Sequence, residues 1–169
     1  MKHFESSETI NNMDITKRMD EKGQKGSVVK KLSYIVDDVT YVVDGKYVIL
    51  EPSDTERAIA VSLSEKYGKD VELVPKVNYP MGVQTPDYLI DGERYDLKSP
   101  TGSSKNLLYN LVSKKKKQAS SFIFDVTQCP LSDDDIERQV RELYFSRHTR
   151  FIDKVVILKN EEVLKVYER

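Results

Sequence analysis

The sequence predicts an α/β (α+β) protein with a mixed β-sheet, an αβββαβ order at its centre, flanking helices and added β-hairpins at both ends. Three observations predict it. Asp44-Gly45 and Asp91-Gly92, strong two-residue hairpin turns, each lie between short runs rich in β-branched and aromatic residues. Segments of helical length with Ser or Asp at their start and apolar residues on one face separate these strands. After the second such helix, Ser121-Phe122-Ile123-Phe124-Asp125-Val126 reads as a buried strand. A helix-linked return of that kind implies a right-handed crossover and helices on the faces of the sheet.

The elements follow in order. Residues 1–37 are polar and weakly periodic, with Gly23 and Gly26, and read as a tail or linker with a short helix near Ile10–Met19. The folded domain is expected over 38–169. Val39-Thr40-Tyr41-Val42-Val43 and Lys46-Tyr47-Val48-Ile49-Leu50 form a hairpin about Asp44-Gly45. Ser53 or Asp54 caps a helix with Glu56 in its first turn, apolar Ile59, Val61, Leu63 and Tyr67, and Gly68 as its stop. Val71-Glu72-Leu73-Val74-Pro75 is a short strand, and 78–85 a loop. A hairpin from Asp87 to Ser99 comes next. Pro100-Thr101-Gly102 breaks the sheet, and Ser103 or Ser104 caps a helix carrying Leu107, Leu108, Leu111, Val112 and Ala119 inward, with Gln118 close to that face. Ser132 caps a further helix to about Arg147. A last hairpin turns at Asn160-Glu161.

Composition bounds the function. The 169 residues suffice for one ordinary domain with a real core. No apolar run is long enough for a transmembrane helix, and the N-terminus has neither the apolar core nor the cleavage site of a secretory signal. One cysteine, Cys129, excludes an internal disulfide and a cysteine-based zinc site. His3 and His148 make no metal pair, so a metal here would be oxygen-ligated, which favours Mg²⁺ or Mn²⁺. A net charge of −1 argues against a protein that coats nucleic acid generically. The charge is unevenly spread, however. Lys98, Lys105 and the run from Lys114 to Lys117 precede the acidic stretch Asp133-Asp134-Asp135. A basic neighbourhood beside an acidic site suits a phosphodiester.

The turn at Asp91-Gly92 carries most of the chemistry. Counting outward from it, Ile90 faces Glu93, Leu89 faces Arg94, Tyr88 faces Tyr95 and Asp87 faces Asp96. Two carboxylates then share one side of the sheet with Cβ atoms about 4.5–5.5 Å apart. Lys98, two residues beyond Asp96, projects from the same side. Like charges placed opposite one another destabilise a sheet. A divalent cation between them removes the repulsion and supplies a Lewis acid. The nearby ammonium can orient a water or stabilise charge developing on a phosphate.

Pro86-Asp87 and Asp96-Leu97-Lys98 on consecutive strands, within this element order, resemble the PD-(D/E)XK nuclease superfamily and its restriction-endonuclease-like core. The wider text from Pro86 to Pro100, the Lys- and Gln-bearing segment from Lys114 to Gln118, and the strand ending in Phe124-Asp125 resemble a narrower group. These are the nuclease domains at the C-termini of contact-dependent growth inhibition toxins, with phage and mobile-element relatives. The resemblance spans about residues 39–169.

The resemblance implies a Mg²⁺-dependent (or Mn²⁺-dependent) phosphodiester hydrolase acting on RNA, tRNA in particular, or on DNA. Asp87 and Asp96 bind the metal, joined by the Leu97 carbonyl, and Lys98 positions or polarises the attacking water. Glu56 is a third carboxylate candidate, and Gln118 orients Lys98 or contacts the substrate backbone. Lys105, Lys114, Lys115 and Lys117 are candidates to contact phosphates, as are Ser99 and Ser103 beside a helix start. The implied partners are nucleic acid and a cognate immunity protein, with no membrane. The implied place of action is the cytoplasm, after delivery within a larger secreted or phage-encoded protein. Two alternatives stand beside this reading. One is a metal-independent toxin ribonuclease of the barnase/colicin type, against which the helix between Lys98 and Phe122 argues. The other is a non-catalytic, phage-associated nucleic-acid-binding module.

Overall fold

The structure is a computed structural model, and it describes residues 25–169. The helix expected near Ile10–Met19 lies outside the described residues. Seven strands form a mixed sheet in the order β1-β5-β7-β8-β9-β10-β11, and two small two-stranded sheets, β2-β3 and β4-β6, accompany it. The strands are β1 Ser27–Lys30, β2 Ser33–Val36, β3 Val39–Val42, β4 Val48–Ile49, β5 Asp70–Leu73, β6 Lys76–Val77, β7 Tyr88–Ile90, β8 Glu93–Lys98, β9 Ser121–Asp125, β10 Lys154–Lys159 and β11 Glu162–Glu168. The described helices are α1 Asp54–Tyr67, α2 Leu107–Val112 and α3 Asp133–Phe145, with a 3-10 turn at Arg147–Thr149. The mixed α+β class is the one the sequence predicts, and α1, β5, β7, β8, α2 and β9 give the expected α-β-β-β-α-β order once β6 of the small sheet is set aside.

The chain clusters into two compact units. One runs up to Asp96 and takes in Lys117–Ala119; the other holds Leu97–Lys116 and Ser120–Arg169. In the first, α1 starts and stops where its residues dictate. The Ser53 hydroxyl accepts from the Glu56 amide while the Glu56 carboxylate accepts from the Ser53 amide, a reciprocal capping box. Gly68 closes the helix in the left-handed region at φ 63°. Ile59, Ala60, Leu63 and Tyr67 bury one face.

Two expectations for this unit need correction. The polar segment 1–37 is not all tail: β1 pairs in parallel with β5, and β2 pairs with β3. These strands are four residues each, and every residue of β1 is exposed, so no apolar alternation marks them in the sequence. The hairpin expected about Asp44-Gly45 does not form either. β3 turns back on β2 through Asp37-Asp38, both at positive φ, and β4 pairs with β6 instead. Asp44 takes another part. Its Oδ1 accepts the amides of Lys46, Tyr47 and Val48 at 2.7–2.9 Å.

These bonds from Val48, Lys46 and Tyr47 hold the Asp44 carboxyl below its ordinary pKa. A depressed folded pKa means that the stabilisation is complete above the unfolded value and is lost as pH falls through the folded one. The carboxyl carbon of Asp44 should therefore titrate below about 3.9 by NMR. A midpoint at or above that value would contradict the turn geometry.

Gly26 is the other position in this unit that the sequence undersells. A Cβ there would lie 1.9 Å from the Lys69 carbonyl oxygen, and the Gly26 amide donates to the Ser64 carbonyl at 2.9 Å. The chain enters β1 pressed against the loop that follows α1, where no side chain fits. Gly26→Ala should lower stability by about 1–3 kcal/mol, the usual range for overpacking. Urea denaturation checks it, and an unshifted midpoint would refute the close approach.

The second unit packs β9, β10 and β11 beneath α3. β9 runs parallel to β10, and β10 antiparallel to β11 through Asn160-Glu161, both at positive φ as the expected turn requires. Phe122, Ile123, Phe124, Val155 and Leu158 form the buried sheet face material, with Ile136, Val140 and Leu143 from α3. Ser132 caps α3 by accepting from the Asp135 amide. The helix expected to reach Ala119 is short, however. α2 ends at Val112, and its first residue is preceded by Asn106 with no side-chain cap, rather than by Ser103 or Ser104 as a cap. Four consecutive lysines at 114–117 repel one another and offer no apolar face to hold a further turn of helix.

Candidate active site

The acid pair is set by the hairpin between β7 and β8. Tyr88 pairs with Tyr95, Leu89 with Arg94 and Ile90 with Glu93, the register counted from the turn. Asp91 and Gly92 both hold positive φ, 49° and 85°, as a type I′ turn demands. The pairing ends at Tyr88 and Tyr95, and the Asp87 amide donates to that same Tyr95 carbonyl at 3.1 Å, one residue out of the ladder's register. Asp87 and Asp96 are the next residues beyond that pair, one on each side of the hairpin's open end. Alternation along β8 puts Asp96 on the side away from Tyr95.

Both acids are withdrawn from solvent. Asp96 is 1% exposed, and the Asp87 side chain 12%. The structure gives each a compensating partner. The Lys76 ammonium, from β6, pairs with Asp87 Oδ1 in a close salt bridge. Gln118 donates its Nε2 to Asp96 Oδ1 at 3.2 Å. Sequence reasoning missed Lys76. Its contact is made eleven positions away, across the pairing of β5 with β7, and no local pattern announces it.

Gln118, expected to orient Lys98 or to contact substrate from a helix, instead reaches Asp96 from the turn segment after α2. In the same segment Lys117 lends its carbonyl to Arg94 Nη1 at 3.1 Å, tying the segment to β8. Arg94 also acts on Tyr34 of β2, lowering a phenol pKa that burial raises more strongly.

Glu56 is placed differently. Its carboxylate closes the capping box of α1, and its main-chain carbonyl accepts the Tyr88 hydroxyl at 2.6 Å. The start of α1 is thereby fixed against Tyr88. Glu56 is not brought to the acid pair.

Leu97 and Lys98 continue β8, Lys98 two residues past Asp96 and half-buried. Ser99, Ser103 and Lys105 lie exposed in the segment before α2. That helix has six residues, and its Leu108 amide is taken by the side-chain oxygen of Gln139 at 3.0 Å. Gln139 also donates to the Ser104 carbonyl at 2.9 Å and is itself buried. This amide cradles a glutamine rather than standing open for a phosphate, and nothing in the sequence singled Gln139 out. Lys114 and Lys117 are exposed and Lys115 half-buried, in turns after α2.

As a donor set, two carboxylates from neighbouring strands and a main-chain carbonyl would suit a hard, oxygen-seeking divalent cation. Among the described residues, no group of three or more His, Cys, Asp or Glu side chains comes together for a metal. The pair fits Mg²⁺ or Mn²⁺ as a site of low protein ligand number, the kind such ions complete with water and substrate phosphate.

Comparison with known proteins bears on this hairpin. Residues 84–163 match the family model of the contact-dependent growth inhibition CdiA C-terminal domain. That span begins just before Asp87 and takes in the acid pair, Lys98 and the lysine run. Among solved structures, the chain is similar to the CdiA-CT/CdiI toxin and immunity complex from Burkholderia pseudomallei. The TM-score is 0.52 at 21% sequence identity, covering 85% of this chain and 100% of that one. At that identity the likeness concerns the fold. A comparison with curated proteins found no match. No helix among the described residues is long and apolar enough to cross a membrane.

Proposed function

We propose that this chain is a toxic nuclease domain of the contact-dependent growth inhibition type, a PD-(D/E)XK hydrolase that cuts phosphodiester bonds in RNA or DNA. The observation that carries the reading is the acid pair itself: Asp87 and Asp96, at the open end of one hairpin and withdrawn from solvent. The match of residues 84–163 to the CdiA C-terminal family and the likeness in fold to a toxin of that kind support it.

Asp87, Asp96 and the Leu97 carbonyl would hold Mg²⁺ or Mn²⁺, which when bound supplies Lewis-acid polarisation of a phosphate oxygen. The chain's own residues do the rest. Gln118 fixes the direction of the Asp96 carboxylate by its hydrogen bond. Lys76 neutralises Asp87 and keeps the pair compatible with the fold. Lys98 positions a water and balances charge as it develops on the phosphate. Lys105, Lys114, Lys115 and Lys117, with Ser99 and Ser103, hold the strand through its phosphates without reading its sequence. The domain would act in the cytoplasm of a target cell as part of a larger secreted or phage-encoded protein, restrained at home by an immunity protein.

One observation favours a second reading. The Lys76–Asp87 pair gives Asp87 a cationic partner from the protein itself, as a metal-independent ribonuclease would use. A cleavage assay on total tRNA and on plasmid DNA, with Mg²⁺ or with EDTA, separates the two. Cleavage that requires the metal is expected. Undiminished cleavage in EDTA would transfer the chemistry to Lys76, Asp87 and Lys98 alone. No cleavage of either substrate by a folded chain would defeat both.

A further inference from the structure

We propose that the exposed ring pair Tyr47 and Tyr79 is a stacking platform for one unpaired base, so that the substrate strand is single-stranded or looped where it crosses the site. The inference rests on the nuclease reading and adds the substrate class.

The platform is built on the small sheet that also carries Lys76. Val48 pairs with Val77 and Ile49 with Lys76, which brings Tyr47, just before β4, beside the residues just after β6. The Asn78 amide donates to the Tyr47 carbonyl at 2.7 Å, extending that pairing by one step. The Tyr47 and Tyr79 rings then lie 5.3 Å apart between centroids, tilted by 45°. The loop bearing Tyr79 is closed at its far end by the buried Thr85 hydroxyl, which donates to the Pro75 carbonyl at 2.8 Å. Tyr79 is thus presented from a loop anchored on both sides.

These rings are not used by the core. Tyr79 is 63% exposed, Tyr47 45%, and neighbouring Met81 89%. Aromatic side chains contribute most to stability when buried, so a grouped set left in solvent marks a binding surface. Its charges select the partner. The Lys46 ammonium lies 4.9 Å from the centroid of the Tyr47 ring, and Lys76 stands on the same sheet against Asp87. Rings interleaved with ammonium groups match a polymer whose flat bases alternate with phosphates. From Lys76 to Tyr79 is three residues, about 10 Å of strand, so a chain lying on the acid pair reaches the rings within a few nucleotides. Bases inside a duplex are already stacked on one another and offer only their edges, whereas an unpaired base can lay its face on a ring.

The test measures binding, in the Asp96→Asn chain so that the strand is not cut. A short RNA carrying a single 2-aminopurine is titrated alone and hybridised to its complement. We expect tighter binding of the single strand with quenching of the 2-aminopurine. We further expect Tyr79→Leu to weaken that binding roughly ten- to hundredfold, Tyr79→Phe to restore it, and the duplex affinity to stay unmoved. Equal melting curves establish that the variants are folded. If Tyr79→Leu binds the single strand as its parent does, the platform does not hold a base and the rings belong to a protein interface. An equal loss on single strand and duplex would also overturn the proposal. If the parent binds no RNA and no DNA in either form, the nuclease reading itself fails, and this one with it.

Discussion

Asp96→Asn is expected to reduce cleavage by about a hundredfold or more while leaving the melting temperature unchanged or higher. Loss of a group that merely orients a metal ligand typically costs about 10–100-fold, so loss of the ligand's charge belongs at or beyond the upper end. The two directions together make the prediction specific. Asp96 is buried, one residue past the last pair of the hairpin whose other strand is entered from Asp87. Neighbouring carboxylates repel, and Asn removes one charge while keeping the shape and an oxygen for Gln118. A residue retained for stability would show the reverse: a lower melting temperature and no change in chemistry. Gln118→Leu should give an intermediate loss of about tenfold, because it leaves Asp96 charged but without that donor. Initial rates on tRNA and plasmid DNA, read beside thermal melts, decide the matter. Full activity in Asp96→Asn would remove the acid pair from the mechanism.

How much of this was legible follows from where each contact lies along the chain. The hairpin of Asp87 and Asp96 is local: an Asp-Gly turn fixes its register, and the register fixes which side chains face each other as far as Tyr88 and Tyr95. The caps of α1 and α3 at Ser53 and Ser132 are local too, and the structure has both. What escaped the sequence is nonlocal or weakly patterned. The partner of β3 is β2 rather than β4, because Asp37-Asp38 makes a two-residue turn that neither residue advertises as glycine would. β1 has no buried side chain to give it a period. Lys76 meets Asp87, and Gln139 meets Leu108 and Ser104, only because strands and helices far apart in sequence pack together. Gln118 lies in a turn segment and not on the expected helix, and it meets Asp96 where the sequence suggested Lys98. Its side chain needs only to arrive near β8, and the Lys117–Arg94 bond delivers it there without a helix. Glu56 shows the opposite case: its helix is as expected, but its carboxylate closes the cap and its carbonyl holds Tyr88.

Tyr88 is accordingly where stability and the site meet, and Tyr88→Ala is expected to lower stability by about 3–5 kcal/mol. Its ring is fully buried, among the largest such side chains in the described residues. Removing it opens a cavity behind the strand, and the Glu56 carbonyl loses the hydroxyl bonded at 2.6 Å. Against a typical total of about 5–15 kcal/mol, that loss leaves a marginal fold. Tyr88→Phe separates the contributions. It keeps the packing and removes only the hydroxyl, so its loss should be about 0.5–1.5 kcal/mol, the net worth of one hydrogen bond to a carbonyl that the helix itself also satisfies. Denaturant midpoints at constant slope measure both. A functional consequence follows. Tyr88 and Asp87 are adjacent in the chain, so the bond that clamps Tyr88 to α1 also bears on where Asp87 meets Lys76. In Tyr88→Phe, cleavage should therefore fall further than the fraction unfolded accounts for. Activity that simply tracks the folded fraction would show that the hairpin holds its acids without help from α1.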